Sequence, residues 1–154
     1  MDAKMIRLAK ALLALLVVAV TIFMLFKTVF PDANYEISDL SKKTSEKAYM
    51  EIADNAATRM RGLMFRDRII PILFIFGSEG KYAIHSNFVI AEFDAIYLSP
   101  NRTVVEMFRK IAPATQRVSP TKEALYLLEL PMDVTGRLNI SVGDNLSWKK
   151  IGEK

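Results

Sequence analysis

The most uniform feature of the chain is an apolar stretch near its start. Residues 11–26 contain no charged side chain and lie between Lys10 and Lys27. As a helix this run is about 24 Å long, which is shorter than a hydrocarbon core of about 30 Å. Apolar residues on both sides extend it, and the stems of the flanking basic residues are long enough to reach lipid headgroups. The pattern predicts one membrane-spanning helix over residues 5–30.

Basic residues before this helix predict its orientation. Lys4, Arg7 and Lys10 precede the apolar run, and only Asp2 opposes them. The positive-inside rule then places the first residues in the cytoplasm and the rest of the chain outside, as a single-pass protein of the cell membrane. Three alternatives stay open: cleavage of a signal peptide after Ala33, processing after Lys10 as in archaeal pilins, and a buried core helix of a cytosolic domain.

The chain after this helix divides into a polar stretch and a folded domain. Residues 31–46 are rich in Ser, Asp and Lys, and they begin with Pro31, which lacks the amide hydrogen that a continuing helix needs. We interpret them as a tether between residues 1–30 and a domain over residues 47–154. A domain of this length can bury one hydrophobic core.

Short apolar stretches separated by turn residues predict a β-rich domain. One short helix is expected near its start, capped by Asp54 or Asn55. The spacing of the turn residues is typical of a compact β-sandwich or barrel. The predicted strands are residues 48–53, 72–76, 81–85, 95–99, 103–111, 124–130 and 145–151.

Composition narrows the classes of partner and cofactor. The net charge is +4, and three of the 21 basic residues flank the apolar helix, so the outer domain is close to neutral. No cluster of Lys and Arg with interleaved aromatic residues occurs, and we expect no nucleic-acid partner. The chain has one His and no Cys, which argues against zinc and excludes a thiol nucleophile. We expect no metal or other cofactor.

Three sequons add a surface prediction. Asn101, Asn139 and Asn145 each begin an Asn-x-Ser/Thr triplet. Glycosylation there would require an extracytoplasmic location and surface loops, which agrees with the predicted orientation. The alternative is that these are ordinary turn residues.

Several separated motifs together resemble a known family. The longest runs from Ala56 and Thr58 to Arg61-Gly62-Leu63-Met64-Phe65-Arg66, and the others are 72–76 (ILFIF), 83–85 (AIH), 88–89 (FV), 94–98 (DAIYL), 128–130 (LEL) and 142–144 (VGD). Over residues 48–148 the chain resembles the uncharacterised prokaryotic family called domain of unknown function 192. The resemblance implies a compact β-rich domain with a short helix, often exported, and no established activity.

The chain departs from the family pattern at two places. The stretch 90–92 (IAE) stands where the family usually has Arg-Phe-Pro or a similar sequence, and Asp133 stands where it tends to have Gly. These departures imply a ligand that differs from those of other members, or none.

Candidate ligand-binding residues lie inside the matched motifs. His85 is the one side chain with an ordinary pKa near neutral. If strands 81–85 and 94–99 are neighbours, His85 approaches Asp94, and such a pair could orient a general base. The alternative is a structural His that is hydrogen-bonded to a turn.

Two further groups of residues complete the candidates. Arg61 and Arg66 could clamp an anion bidentately, and alternatively they could pair with Glu51 or Asp67 on the helix surface. A hydrolase with paired carboxylates would need two of Asp94, Glu129 and Asp144 across a cleft, although Asp144 after Gly143 also fits an ordinary turn.

Three functional hypotheses follow. The first is a membrane-anchored extracytoplasmic binding or interaction module, held to the lipid bilayer through residues 5–30 and open to an envelope protein partner. The second is an exported hydrolase or lyase that uses His85 with Asp94 or Glu129. The third is a subunit of a surface filament or envelope complex built through the apolar helix.

Overall fold

A computed structural model describes residues 2–29 and 33–152. The chain divides into two compact units, residues 1–31 and residues 32–154. The helices are α1 (Ala3–Val29), α2 (Ala56–Arg61) and α3 (Met132–Leu138). The strands are β1 (Ala33–Asp39), β2 (Thr44–Ala53), β3 (Ile72–Gly80), β4 (Phe93–Leu98), β5 (Val104–Ile111), β6 (Ala124–Leu130) and β7 (Leu146–Lys150).

The first unit is the single helix α1, as the apolar run predicted. Among the described residues, however, no helix is both long enough and apolar enough to cross a bilayer. Lys4, Arg7 and Lys10 lower the hydropathy of its first half. The prediction of a spanning helix over residues 5–30 is therefore not supported, and its predicted end at Pro31 lies outside the described residues.

The second unit is built on one seven-stranded sheet in the order β5-β4-β6-β3-β2-β1-β7, which curls into a half-barrel. All neighbouring strands are antiparallel except β2 and β3, which run parallel. The mainly β fold class is confirmed. In place of the predicted sandwich or barrel, the structure has a single curled sheet that forms half of a barrel.

Strand β4, which lies between β5 and β6, is covered on both faces of the sheet. All six of its residues are buried. Phe93, Ala95 and Tyr97 belong to one hydrophobic cluster, while Ile96 and Leu98 belong to another. Because successive side chains on a strand point to opposite faces, these two clusters lie on opposite sides of the sheet.

The prediction that residues 31–46 form a tether is wrong for the described part. β1 occupies 33–39 and pairs with β2 on one side and with β7 on the other. Ile37 in the middle of β1 is completely buried. Only one large aliphatic residue of this strand reaches the core, so its polar neighbours dominate the sequence pattern.

Two other elements differ from the sequence prediction. Residues 81–85 do not form a strand, and only Ile84 makes an isolated bridge, to Val118. The short helix α3, which begins directly after Pro131, was not predicted. Strand β6 matches the predicted range 124–130, and α2 is capped by Asn55, one of the two residues named for that role.

Candidate functional site

The site begins at α2, a one-and-a-half-turn helix that is fixed at both ends. At its start, the Thr58 amide donates to Asn55 Oδ1 at 3.1 Å and the Asn55 amide donates to Thr58 Oγ1 at 3.2 Å. This reciprocal capping box satisfies two amide groups that the helix itself cannot. At its end, the Gly62 amide donates to the Thr58 carbonyl at 3.1 Å. The position of Gly62 is thereby set.

Gly62 lets the backbone pass close to a buried carboxyl. Its φ is +44°, in the region that favours glycine. A Cβ atom placed there would lie 3.2 Å from Phe74 Cζ and 3.8 Å from Glu129 Oε2. The absence of a side chain at Gly62 therefore keeps the approach to Glu129 open.

Arg66 fastens the segment after α2 to strand β2. Its Nη1 and Nη2 donate to the two oxygens of Glu51 at 2.7 and 2.6 Å, and its Nε donates to the Gly62 carbonyl at 2.8 Å. Both side chains are about nine-tenths buried. The interpretation that pairs Arg66 with Glu51 is confirmed, and its guanidinium is committed to holding the loop.

A cavity of about 210 Å³ opens between the end of α2, strand β3 and the segment 83–89. We call it the Glu129 cavity, because that residue contributes its buried acidic group. Its wall combines charged groups at one end with apolar side chains elsewhere. Its lining includes Arg59, Met60, Arg61, Gly62, Leu63, Met64, Phe74, Ala83, Ile84, His85, Val89, Phe93 and Glu129.

Glu129 is the most unusual group of the cavity. Glu129 is only 4% exposed, and its Oε2 atom has no hydrogen-bond partner among the described residues. Burial raises the pKa of its carboxyl from 4.5 to about 8, and the attraction of Arg66 opposes that rise. Glu129 is therefore protonated at neutral pH and can donate a hydrogen bond into the cavity.

His85 reaches the same cavity from an irregular segment. It is exposed, and its Nδ1 accepts a hydrogen bond from the Asn87 amide at 3.3 Å. This is the turn contact that the structural interpretation of His85 predicted. Nε2 carries the proton in this tautomer, so it can donate a hydrogen bond. The basic nitrogen, Nδ1, is the one that faces the Asn87 amide.

Asp94 does not join His85. Its Oδ1 accepts from the Lys110 amide at 2.8 Å, and its Oδ2 lies 3.8 Å from Arg109 Nη1. The preceding residue, Phe93, lines the Glu129 cavity, so Asp94 points to the other face of β4. The hypothesis of a His85–Asp94 pair is wrong, because β4 lies between β5 and β6 and segment 81–85 is not its neighbour.

Asp144 belongs to a separate cluster beside α3. It accepts from Lys42 Nζ at 2.6 Å and from the Ser141 amide at 2.7 Å, which holds its pKa below the ordinary value. Asp39, which the sequence did not single out, is completely buried beside it. Burial raises the pKa of Asp39. The cluster ties the β1–β2 turn to the segment before β7, and it touches no part of the Glu129 cavity.

The asparagines of the three sequons lie in the connections between the named helices and strands. Asn101 and Asn139 are exposed, and Asn139 takes the left-handed conformation that ends α3. Asn145 is half-buried, and its Nδ2 donates to the Asn101 carbonyl at 2.8 Å. Asn145 is therefore already engaged as a turn residue, as the alternative interpretation held.

An exposed aromatic pair beside the cavity escaped sequence analysis. The rings of Phe65 and Phe88 stack with centroids 4.7 Å apart, although the residues are 71% and 65% exposed. Both residues have positive φ, and the Phe65 amide donates to the Phe88 carbonyl at 3.0 Å. Nothing in the sequence distinguishes such residues from core phenylalanines. Ile90, where the departure from the family pattern begins, is two residues after Phe88 and is also exposed.

Two further concavities adjoin the Glu129 cavity. A mostly apolar arm of about 310 Å³ adds Phe76, Tyr82 and Leu127, and it shares with the Glu129 cavity the residues Arg59, Met60, Phe74, Ala83 and Ile84. A charged groove of about 480 Å³ shares Arg61 and is lined by Tyr49, Glu51, Phe65, Arg66, Asp67, Arg68 and Ile70. Within residues 2–29 and 33–152, no group of three acidic or His side chains is arranged to hold a metal ion.

Comparison with known proteins gives consistent matches over the second unit. The model of the family DUF192, described as "Uncharacterized ACR", matches residues 37–148. A UPF0127 protein of Thermococcus sibiricus is 33% identical over 121 residues, which cover 75% of this chain and 77% of that protein. A UPF0127 protein of Pyrococcus abyssi is 33% identical over 110 residues, which cover 70% of this chain and 92% of that protein.

A solved structure shares the fold. It is the crystal structure of a Sinorhizobium meliloti 1021 protein proposed to be a transcription regulator, with a TM-score of 0.68 and 20% sequence identity. The match covers 77% of this chain and 95% of that chain. At this identity the likeness concerns the fold alone.

Proposed function

The chain belongs to the DUF192 family, as its motifs predicted, and from the geometry of this member we propose that the domain binds a small molecule in the Glu129 cavity. The observation that carries the proposal is the carboxyl group of Glu129: the residue lines the cavity, and its buried Oε2 atom has no hydrogen-bond partner in the described part of the chain. A buried polar atom without a partner costs about 1–3 kcal/mol, and a bound ligand would recover that cost.

The surroundings of Glu129 favour binding over covalent catalysis. Acyl transfer needs a nucleophile beside a base. The nearest hydroxyl in sequence to His85, that of Ser86, donates to the Ala112 carbonyl at 2.5 Å and accepts from the Thr115 amide at 2.8 Å. That hydroxyl is thus committed to the loop. The cavity offers recognition groups, while the described residues place no activated nucleophile in it.

A ligand panel tests this proposal. We would record thermal shifts and chemical-shift changes with small anionic, neutral and cationic compounds, on the natural chain and on Ala83→Trp. Ala83 is exposed and lines both the Glu129 cavity and its apolar arm, so a Trp there fills the space without disturbing the core. The expected result is at least one compound that binds the natural chain and not the variant. A panel that gives no binder, or only binders that Ala83→Trp retains, refutes the proposal.

A hydrolase or lyase is the second candidate function, in the form that uses His85 with Glu129. The supporting observation is that a protonated carboxyl and an imidazole line one cavity. Such a carboxyl is a general acid at neutral pH. Conversion of a panel compound by the natural chain, lost in His85→Ala and in Glu129→Gln while binding persists, would establish this function in place of simple binding.

The place of the protein is a further part of the proposal. We propose that α1 holds the domain outside the cell at the membrane, with the basic residues before it in the cytoplasm. What supports this is the exposed apolar surface of the helix, which has no charge between residues 11 and 21. Its exposed large apolar side chains are Met5, Ile6, Leu8, Leu12, Leu13, Leu15, Leu16, Val17, Val18 and Val20.

Membrane fractionation tests the location. The natural chain is expected in the membrane fraction and resistant to extraction with alkaline carbonate, whereas a Leu15→Lys, Val18→Lys variant is expected in the soluble fraction. Release of the natural chain by carbonate would instead support an envelope protein partner on the apolar helix. Recovery in long filaments would support the role as a filament subunit.

A further inference from the structure

The Glu129 cavity has a polar end and an apolar end, and we infer that its ligand is a carboxylate with an unbranched apolar tail, of about the size of octanoate. This inference rests on the proposed function and names the ligand class of the same site. The carboxylate would lie between Arg61 and Glu129, and the tail would lie in the arm lined by Phe76 and Tyr82.

The polar end combines one positive charge with one neutral donor. Arg61 lines both the Glu129 cavity and the charged groove, and it is half-buried. Its burial and the nearby charge of Arg66 lower the pKa of its guanidinium. Glu51, which pairs with Arg66, and Tyr49 act in the opposite direction on Arg61. An anion at this position would add to their attraction and would further offset the repulsion between the two guanidinium groups.

Glu129 fits a carboxylate as a donor. In its protonated form it has one O–H group, and its Oε2 atom is the one without a partner. A hydrogen bond between a carboxylic acid and a carboxylate is charge-assisted and therefore stronger than one between neutral groups. A cation would be disfavoured in this cavity, because Arg59 and Arg61 in its lining would repel it and a protonated Glu129 carries no negative charge.

The apolar arm fits a chain without further polar groups. The rings of Phe76 and Tyr82 stack with centroids 3.7 Å apart, and the Tyr82 hydroxyl donates to the Ser78 carbonyl at 2.8 Å. Phe74, Ile84 and Leu127 complete the wall. The one charged residue of the arm, Arg59, already donates from Nη1 to the carbonyls of Asp54 and Ile75. A sugar or a nucleotide in this arm would therefore lose more hydrogen bonds to water than it gains, whereas an apolar chain gains from the burial of each methylene.

Calorimetric titration with four probes tests the inference on the full chain. Octanoate has the head and the tail, octanol has the tail alone, acetate has the head alone, and octyltrimethylammonium reverses the charge. We expect octanoate to bind at pH 7 at least about ten times more tightly than each of the others. Octanol binding as tightly as octanoate, or the cation binding more tightly, overturns the inference.

Three variants assign the head group to its partners. Arg61→Gln should weaken octanoate binding about tenfold. The matched control Arg117→Gln, on an exposed side chain that is not part of the cavity lining and contacts Ser119, should leave it unchanged. Glu129→Gln keeps a donor of the same size and should bind octanoate within about threefold of the natural chain, whereas Glu129→Met removes the donor and should lose about tenfold. Equal binding by the Gln and Met variants contradicts the placement.

The number of carbon atoms in the carboxylate that binds most tightly identifies the source of the ligand. In a series from butanoate to palmitate, an optimum near eight carbons indicates a water-soluble carboxylate, and an optimum at sixteen indicates a fatty acid released from lipid. Failure of the inference is distinguishable from failure of the proposed function. If octanoate fails while another panel compound binds the natural chain and not Ala83→Trp, the function stands and the ligand class is wrong.

Discussion

At the scale of single residues, the surroundings of Glu129 are formed by residues that are distant from it in the sequence. The motif Leu-Glu-Leu at 128–130 marks a buried strand with one acidic residue, and it made Glu129 a candidate. The sequence does not show that Gly62 passes within reach of the same carboxyl. It also does not show that Arg66, the nearest charge, is taken by Glu51. Those relations depend on tertiary structure, as does the separation of His85 from Asp94.

The buried carboxyl makes stability depend on pH. In the folded state the pKa of Glu129 is about 8, and in the unfolded state it returns to about 4.5. Between these values the folded chain holds a proton that the unfolded chain has released. The stability that this proton confers is complete below pH 4.5 and is lost as pH rises through 8, with a slope of about 1.4 kcal/mol per pH unit.

The comparison with Glu129→Gln isolates this contribution. The other titratable groups around the carboxyl are Arg66 with its partner Glu51, Arg61, His85 and Tyr97, and all of them remain in the variant. Urea unfolding from pH 5 to 9 should show the natural chain losing stability relative to the variant as pH rises. Parallel curves for the two chains would show that Glu129 ionises normally in the folded state.

The Arg66–Glu51 pair gives a second prediction at this scale. Arg66→Met leaves Glu51 buried without its partner, so we expect a loss of about 3–5 kcal/mol in the free energy of unfolding. The double variant Arg66→Met, Glu51→Met should recover most of that loss, because no buried charge is left. Arg68→Met, on an exposed neighbour, serves as the control and should change stability by less than about 0.5 kcal/mol. A double variant no more stable than Arg66→Met would contradict a buried ion pair.

At the scale of elements, local signals predicted what local interactions decide. Strand β6 follows from an apolar run that only Glu129 interrupts, and the cap of α2 follows from a side chain that accepts an amide hydrogen. The segment 81–85 alternates like a strand, yet it bridges only at Ile84 because its neighbours in space form the wall of the cavity. Local alternation cannot show that a segment has no strand beside it.

The cap of α2 sets the position of Gly62 and can be tested at the level of the helix. Asn55→Ala removes the acceptor for the Thr58 amide, so we expect a loss of about 1 kcal/mol and a weaker affinity for a ligand of the Glu129 cavity. Asp54→Ala is the matched control, because Asp54 was the other predicted cap and its side chain accepts only from Asn55 Nδ2. If the two variants lose the same stability by thermal unfolding, the capping box is not what positions the helix.

At the scale of the whole molecule, the sheet is assembled from both ends of the domain. β1 lies between β2 and β7, so the last strand of the chain pairs with the first strand of the sheet. The spacing of apolar stretches and turn residues predicted a mainly β domain but placed its start at residue 47, because β1 contributes few apolar residues. Only the completed sheet shows that Ile37 belongs to the core.

Truncation tests this assembly. A chain of residues 31–154 keeps every strand and should unfold cooperatively, as a compact unit does. A chain of residues 47–154 loses β1 and the start of β2, which leaves β7 with no neighbour in the sheet, and we expect it to aggregate or remain unfolded. Circular dichroism and thermal unfolding compare the two. A stable, cooperative fold for residues 47–154 would restore the interpretation of residues 31–46 as a tether.

The central claim is that the Glu129 cavity holds a small ligand, and a crystal structure of residues 31–154 with octanoate at pH 6.5 tests it most directly. We predict electron density for the carboxylate within hydrogen-bond distance of Glu129 Oε2 and Arg61, with the tail between Phe74 and Tyr82. The same crystals of Ala83→Trp should show no density there. Octanoate bound elsewhere on the domain, or a cavity closed by side chains in the liganded crystal, would contradict the account.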